Sequence, residues 1–315
     1  MKSYNIAFAI NKNFLLFCFI AIYSLLRNNQ TSFFNIFIQH NNCLNQEDID
    51  IFLSQYPLKN FNNFKIHLID CSTIEELKDI TDGGKWTKEV YFKLFLADLL
   101  TVDKVLFLDA DVLITSNIED FLNTNLENHA FCGDNFKNSN IVNCGIFLMN
   151  LKLLRETNIH KEIFTIIKKQ YLTDKTDFYK LTEEYVINHF FASYILFTDK
   201  IISISSTKRF YAKEHSMIHY VGIKPWHLDR KISKEYKPLY LNYLDNLKPF
   251  AKSKTSRILI IVLFYYLLHG GYIINSFAKR IKNSVYKNIF KLPKYKYLHK
   301  GLTMSFIIKG SIPNK

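Results

Sequence analysis

The sequence predicts an α/β domain built around a largely parallel sheet. Short apolar runs that are rich in β-branched and aromatic residues alternate with helical stretches from the beginning of the chain. These runs are apolar on both faces, which is typical of parallel strands covered by helices on either side. The chain has 315 residues, of which 48% are hydrophobic, so it can bury a large core and is not a disordered polypeptide.

Each predicted element follows from the length and composition of one run. The predicted strands, in order, are YNIAFAI (4–10), NIFIQH (35–40), FKIHLID (64–70), KVLFLDA (104–110) and the shorter CGIFLMNL (144–151). The predicted helices lie near 13–28, 45–55, 86–100, 158–171 and 182–193. The segment TKRFYAKEHSMIHYVGIKPWH (207–227) is rich in polar and aromatic residues, which indicates a loop.

The first predicted helix contains the apolar stretch FLLFCFIAIYSLL (14–26). This stretch is short for a membrane span and lacks a small-residue cleavage pattern, so it is interpreted as a helix buried against the sheet. The five cysteines are scattered and form no CxxC motif, which argues against a disulfide framework or a zinc site and fits a reducing compartment. The body of the protein is therefore expected in the cytoplasm.

Basic residues are concentrated at the C-terminal end. Fourteen of the 41 Lys and Arg residues follow Asp245, where no acidic residue occurs. We therefore predict a nearly neutral body at 1–245 and a basic tail at 246–315. The apolar run RILIIVLFYYLLHGGYII (257–274), followed by interleaved basic and aromatic residues, favours a partly helical tail that binds an anionic membrane surface rather than nucleic acid. The alternative is a basic helix folded onto the body.

The run VLFLDADVLI (105–114) contains two carboxylates, Asp109 and Asp111, at the point where an apolar strand ends. Folds of this class bind their ligands at the carboxyl ends of strands. The oxygens of an Asp-x-Asp motif can hold a divalent cation that bridges nucleotide phosphates, as in nucleotide-sugar glycosyltransferases. A solvated turn of acidic residues is an alternative interpretation.

The same local pattern also occurs in HAD-type phosphatases, in which the first aspartate, here Asp109, would be the nucleophile. That mechanism requires a later lysine and a further acid pair, and it usually places the nucleophile in the first strand. Here about three strands come first, and no later Asp–Asp or GDxxxD motif is present. The phosphatase is therefore the weaker hypothesis.

Four blocks in order along the chain resemble glycosyltransferase family 8, particularly its bacterial lipopolysaccharide or lipooligosaccharide hexosyltransferases. The blocks are FAINKNFLLFCFIAIYSLL (8–26), the DAD motif with its strand, NCGIFLMNL (143–151) and HYVGIKPWH (219–227). The resemblance implies a single Rossmann-like, nucleotide-sugar-binding domain of GT-A type. It also implies Mn²⁺ or Mg²⁺ as cofactor, a UDP-hexose donor (glucose or galactose) and transfer with retention to a lipid-linked oligosaccharide core sugar.

The resemblance also implies a role for individual residues. The metal ligands would be Asp109, Asp111 and His219. The donor contacts would be Ile10, Asn11, Asn13, Phe14, Lys93, Asp109, Ala110, Asn143, Gly222 and Lys224. Within that set Phe14 would stack on the base, Asn143 would bind sugar hydroxyls and Lys224 would bind the diphosphate. The residues at the reaction centre would be Glu183, Glu184 and Asp134.

Four features depart from the family pattern. The family often has acids at the positions of Asn11 and Lys12. Lys93 stands where the family has an arginine, so the charge is kept and the bidentate fork is lost. Glu184 stands where the family commonly has an amide, and the loop after His219 is one residue shorter than the common form. The additional carboxylate of Glu184 could stabilise a developing oxocarbenium ion, or it could be an acid favoured at a helix N-terminus.

Overall fold

The computed structural model describes most of the body of the chain. The described residues are 1–55, 57–80, 87–135, 140–173, 182–199, 201–205 and 216–222, together with Tyr240 and Tyr243. The strands are β1 (Ser3–Ala9), β2 (Phe33–His40), β3 (Phe64–Asp70), β4 (Lys104–Leu108), β5 (Val112–Ile114), β6 (Phe131–Asn135), β7 (Val142–Asn150), β8 (Ile195–Thr198), β9 (Ile201–Ser205) and β10 (Met217–Val221). The α-helices are α1 (Leu15–Asn28), α2 (Gln46–Gln55), α3 (Leu96–Leu99), α4 (Glu119–Leu122), α5 (Leu151–Thr157), α6 (Ile159–Thr173) and α7 (Glu183–Phe190).

The central sheet has the strand order β3-β2-β1-β4-β7-β6-β8. The first four strands are parallel, β7 runs antiparallel to both β4 and β6, and β8 is parallel to β6. The predicted α/β class is confirmed, with the qualification that the sheet is parallel-rich and that one central strand is reversed. Since β1, β4 and β6 run in the same direction, their carboxyl ends meet at one edge.

Both faces of the central strands are covered, as the apolar runs predicted. In β1, Ile6 and Phe8 belong to one core cluster, whereas Ala7 between them belongs to the other. In β4, Leu106 and Phe107 divide between the two clusters in the same way. Successive side chains of a strand point to opposite faces, so an uninterrupted apolar run fills two cores at once.

A second, smaller sheet has the order β5-β10-β9. β10 is antiparallel to β5, with His219 opposite Val112, and parallel to β9. The prediction of a loop over 207–227 is therefore wrong for Met217–Val221, which is a strand. Four of its five side chains are buried, which explains why a run containing histidine and tyrosine forms a strand inside the protein.

Two predicted helices differ in detail from the structure. The first is preceded by a 3₁₀ turn, Lys12–Phe14, and its α-helical part, α1, is buried along most of its length, as predicted. The segment predicted as a helix at 86–100 is mostly a 3₁₀ helix, Lys88–Phe95, which continues into the single turn α3. Shorter 3₁₀ turns occur at Pro57–Asn60, Glu75–Leu77 and Ala192–Tyr194.

The end of the predicted body returns to the core beside α1. Tyr240 and Tyr243 are buried, and the side-chain amide of Asn28 donates a hydrogen bond to the Tyr243 hydroxyl (3.0 Å). Among the residues that the structure describes, no helix combines the length and apolar character needed to cross a bilayer. The predicted tail, 246–315 with its apolar run 257–274, lies outside the described residues.

Candidate active site

Asp109 and Asp111 lie in a tight connection between β4 and β5. The Asp109 N–H donates to the carbonyl of Gly145 on β7 (2.8 Å), and the Asp111 carbonyl accepts from the Tyr220 N–H on β10 (3.1 Å). Backbone hydrogen bonds to two other strands therefore fix both residues. The Asp111 side chain is buried, whereas the Asp109 side chain is 39% exposed.

His219 on β10 brings its ring to these two carboxylates. Its Nε2 atom is 3.2 Å from Asp111 Oδ1 and 3.6 Å from Asp109 Oδ2. One ligand atom from each of the three residues lies within 4.8 Å of the others. Two ligands bound at right angles, each about 2.1 Å from a cation, lie about 3 Å apart, so these spacings fit a shared divalent ion. Carboxylate oxygens together with an imidazole nitrogen suit Mn²⁺.

Two residues of β7 surround the His219 ring. His219 Nδ1 is 2.6 Å from Asn143 Oδ1. A Cβ atom at Gly145 would lie 2.0 Å from the Cε1 atom of His219 and 2.5 Å from its Nδ1 atom. Real Cβ atoms essentially never lie within 3.0 Å of another heavy atom, so a side chain at residue 145 would force the ring or β7 to shift. Glycine at this position therefore leaves room for the histidine ring where it lies.

Lys93 forms a buried ion pair beneath the site. Its ammonium is 2.7 Å from Glu183 Oε1 and 3.0 Å from the Cys144 carbonyl oxygen, and it lies 4.0 Å from Asp109 Oδ1. It also lies over the Phe107 ring, 4.4 Å from the centroid. Burial alone would lower the pKa of Lys93, but the carboxylates of Glu183 and Asp109 raise it above its ordinary value. Lys93 is therefore a fixed cation that orients two acids of the site.

Glu184 connects α7 to β7. Its Oε2 atom accepts hydrogen bonds from Asn143 Nδ2 (2.9 Å) and from the Cys144 N–H (3.2 Å). Burial, and then the neighbouring Glu183 carboxylate, raise the pKa of Glu184 above its usual range. Both acids also lie in the first turn of α7, which Thr182 caps by accepting from the Tyr185 N–H. Glu184 therefore lies at a helix N-terminus, where an acid is favoured, and also beside the site.

Comparison with known proteins identifies the family. The profile of glycosyl transferase family 8 matches residues 5–230. The chain belongs to glycosyltransferase family 8. The predicted family and the predicted enzyme class, a glycosyltransferase, are therefore confirmed, and the comparisons give no support to the phosphatase hypothesis.

Several relatives of this family 8 protein act on lipopolysaccharide. A lipopolysaccharide 1,3-galactosyltransferase of Salmonella typhimurium is 25% identical over 256 residues, which cover 71% of this chain and 73% of the relative. A lipopolysaccharide 1,2-glucosyltransferase of Escherichia coli is 24% identical over 259 residues, or 72% and 74% of the two chains. The crystal structure of an active-site mutant of LgtC aligns with a TM-score of 0.61 at 15% identity, covering 80% of this chain and 99% of LgtC, and shows the shared fold.

The residues predicted to bind the nucleotide lie at the carboxyl end of β1, beside that of β4. The Ile10 N–H donates to the Gln39 carbonyl (3.0 Å), and Asn11 caps the 3₁₀ turn by accepting from the Asn13 N–H (3.0 Å). Ile10 is buried, whereas the side chain of Phe14 is 40% exposed. This family 8 chain therefore offers an accessible aromatic ring at the edge where the site lies.

Of the other predicted site residues, Ala110 is buried between the two aspartates, and Asp134 is half-buried near the carboxyl end of β6. Gly222 follows β10 with a φ of 80°, a left-handed conformation that favours glycine. Lys224 lies outside the described residues.

One residue of the site was not predicted from the sequence. The Asn188 side chain accepts from the Val142 N–H (2.7 Å) and donates to the Val142 carbonyl (2.9 Å), so it fastens α7 to the beginning of β7. Asn188 follows Glu184 by four residues, which places both on one face of the helix. That spacing is the signal from which its position could have been found.

Proposed function

We propose that the protein is a metal-dependent, retaining hexosyltransferase. It moves galactose or glucose from a UDP-sugar to a core sugar of lipopolysaccharide or lipooligosaccharide. The observation that carries this proposal is the meeting of Asp109, Asp111 and His219 at the carboxyl end of β4, in a chain of family 8. The activities named for the Salmonella and Escherichia relatives support the hexose and the class of acceptor.

The residues of the site would have different roles in the transfer. Asp109, Asp111 and His219 would hold Mn²⁺ or Mg²⁺, which as a Lewis acid offsets the charge that develops on a departing nucleoside diphosphate. Lys224, which follows the left-handed Gly222, would place a further positive charge on the diphosphate. The Lys93 ammonium already meets Glu183 and the Cys144 carbonyl, so its part is to orient these groups and Asp109.

Asn143, Asp134 and the two acids of α7 would face the donor sugar or the acceptor. Glu183 forms an ion pair with Lys93, and Glu184 accepts hydrogen bonds from two N–H donors. Neither carboxylate is therefore free as a simple nucleophile. For retention we favour attack by the acceptor hydroxyl on the face that the leaving group vacates, with a phosphate oxygen of that group taking the proton. Ordered groups that stabilise charge in the transition state then supply the rate enhancement.

UDP release with a panel of UDP-sugars tests the donor and the metal together. We expect UDP to be released from UDP-galactose or UDP-glucose in the presence of Mn²⁺ and a core oligosaccharide. EDTA should abolish the release because the site loses its Lewis acid, and Mn²⁺ added back should restore it. Unchanged release in EDTA would contradict the metal-dependent mechanism. Phosphate release from simple monoesters without any UDP-sugar would instead favour the phosphatase.

We also propose that the basic tail, 246–315, holds the enzyme on the cytoplasmic face of the cell membrane, where a lipid-linked acceptor is exposed. Fourteen basic residues without a single acid provide the attraction to anionic lipid. Truncation after about residue 250 keeps Tyr240 and Tyr243, which are buried against the body. The truncated protein is expected to leave anionic vesicles in a sedimentation assay and to keep its transfer activity toward soluble acceptors. If it sediments as the full chain does, the tail is not the anchor.

A further inference from the structure

The orientation of the His219 ring is set from the side opposite the aspartates. Its Nδ1 atom is 2.6 Å from Asn143 Oδ1, and its Nε2 atom faces Asp111 and Asp109. A neutral imidazole carries its proton on one nitrogen only, and the partner of that nitrogen decides which one it is. The protonation of the ring therefore depends on which way the Asn143 amide is turned.

Two further contacts determine the orientation of the Asn143 amide. The Gly145 N–H donates to Asn143 Oδ1 (3.1 Å), so that atom must be the carbonyl oxygen. The other end of the amide lies 2.9 Å from Glu184 Oε2, a carboxylate oxygen that accepts hydrogen bonds, so this end must be the NH₂ group. The Cys144 N–H (3.2 Å) holds the same Glu184 oxygen in place. Each contact requires the same orientation.

We propose that Glu184 is a positioning residue that acts through Asn143 to hold His219 with its proton on Nδ1, so that Nε2 is presented as a ligand to a divalent cation. The chain of contacts runs from the first turn of α7, through Asn143 on β7, to His219 on β10. Since Asn143 Oδ1 can only accept, Nδ1 carries the hydrogen; in the neutral imidazole the lone pair is then on Nε2, the nitrogen that faces the two aspartates. This inference rests on the proposed metal-dependent function.

An acid at residue 184, where the family commonly has an amide, can also orient the Asn143 side chain. Either side chain presents an oxygen that accepts from the Asn143 NH₂ group, so both orient the amide. A carboxylate has only acceptors, so it also excludes the reversed orientation, in which an NH₂ group at residue 184 would face Asn143. Hydrogen bonds from a second shell of this kind orient metal ligands, and removing them typically weakens metal affinity about 10- to 100-fold.

Matched variants at residue 184 separate this role from packing. Glu184→Gln keeps an acceptor of the same shape, whereas Glu184→Met keeps a comparable volume without an acceptor. Asn143→Leu removes the acceptor of the histidine itself and serves if the methionine variant does not fold. Thermal unfolding by circular dichroism establishes that the variants compared are folded.

Nitrogen NMR of metal-free protein labelled with ¹⁵N-histidine shows which nitrogen of the His219 ring carries the proton. The His219 signals are identified by their loss in His219→Gln, and the four proteins are compared at a pH above which these signals no longer change. Wild type and Glu184→Gln are expected to show protonated Nδ1 and unprotonated Nε2. Glu184→Met and Asn143→Leu are expected to show a mixture or the opposite tautomer. The same single tautomer in all four proteins would overturn the proposal.

Manganese binding without donor, followed by electron paramagnetic resonance, gives the second measurement. Affinity is expected to fall about 10- to 100-fold in Glu184→Met and to stay within about twofold of wild type in Glu184→Gln. Equal affinity in wild type and the methionine variant would contradict the positioning role. If wild type itself binds no Mn²⁺, the proposed metal-dependent function fails, and the NMR comparison still decides whether Glu184 sets the tautomer.

Discussion

Asp111→Asn is expected to abolish hexose transfer while the protein stays folded, and Asp109→Asn is expected to do the same. Asp111 Oδ1 is 3.2 Å from His219 Nε2, and an amide at this position would remove one negative charge and a strong oxygen ligand. A bound metal supplies several kcal/mol of charge stabilisation, so the rate should fall by at least about 100-fold. UDP release in saturating Mn²⁺ measures the loss.

Asp120→Asn is the matched control, since Asp120 is exposed on α4, and its neighbour Glu119 contacts Ser32 at the amino end of β2, at the edge of the sheet opposite the site. It makes the same chemical change and is expected to leave the rate near that of wild type. Removing one of two neighbouring acids relieves repulsion, which offsets the weakened contact with His219, so Asp111→Asn is expected to unfold cooperatively near the wild-type midpoint. An Asp111→Asn enzyme as active as Asp120→Asn would refute the metal site.

Gly145→Ala is expected to lower transfer by about 100-fold or more, although it adds only a single methyl group. The new Cβ atom would lie 2.0–2.6 Å from three atoms of the His219 ring, so the ring must leave its position. Displacing a ligand by about 1 Å is enough for a loss of this size. UDP release and Mn²⁺ affinity should both fall, because the change acts through the histidine.

A double-mutant cycle tests that mechanism. In a His219→Ala background no ring remains beside residue 145, so adding Gly145→Ala should cost little further stability. In the wild-type background the same change should lower the midpoint of unfolding, because the displaced imidazole or the backbone of β7 must adjust. Equal stability costs in the two backgrounds would mean that Gly145 is needed for a reason unrelated to His219.

The larger strands could be predicted because a strand that is buried on both faces appears in the sequence as a continuous apolar run. FKIHLID was predicted at the residues that form β3, and β4 forms within the predicted run 104–110. Residues 112–114 and 131–135 were not predicted, because three apolar residues or a segment such as FCGDN are too short or too polar to stand out. β10 was missed because its pairing with β5 and β9, rather than its own pattern, makes it a strand.

The candidate site was predicted in its members but not in its internal contacts. The aspartate pair follows from a strand that ends in acids, and His219 came from resemblance to the family. The links from Lys93 to Glu183 and from Glu184 to Asn143 join residues 90 and 41 positions apart, respectively. No local pattern relates such residues, because their meeting depends on where β7 and α7 pack.

The pairing of β10 with β5 has a consequence for how the enzyme matures during synthesis. The two aspartates are translated about a hundred residues before the histidine that completes their set, and that histidine can dock only when β10, the last of the described strands, has been made. Domains generally fold as units during synthesis, once the elements that complete them have emerged. A nascent chain that stops short of β10 would therefore lack one of the three proposed metal ligands, and binding of the proposed ion would be a late event that depends on a finished fold.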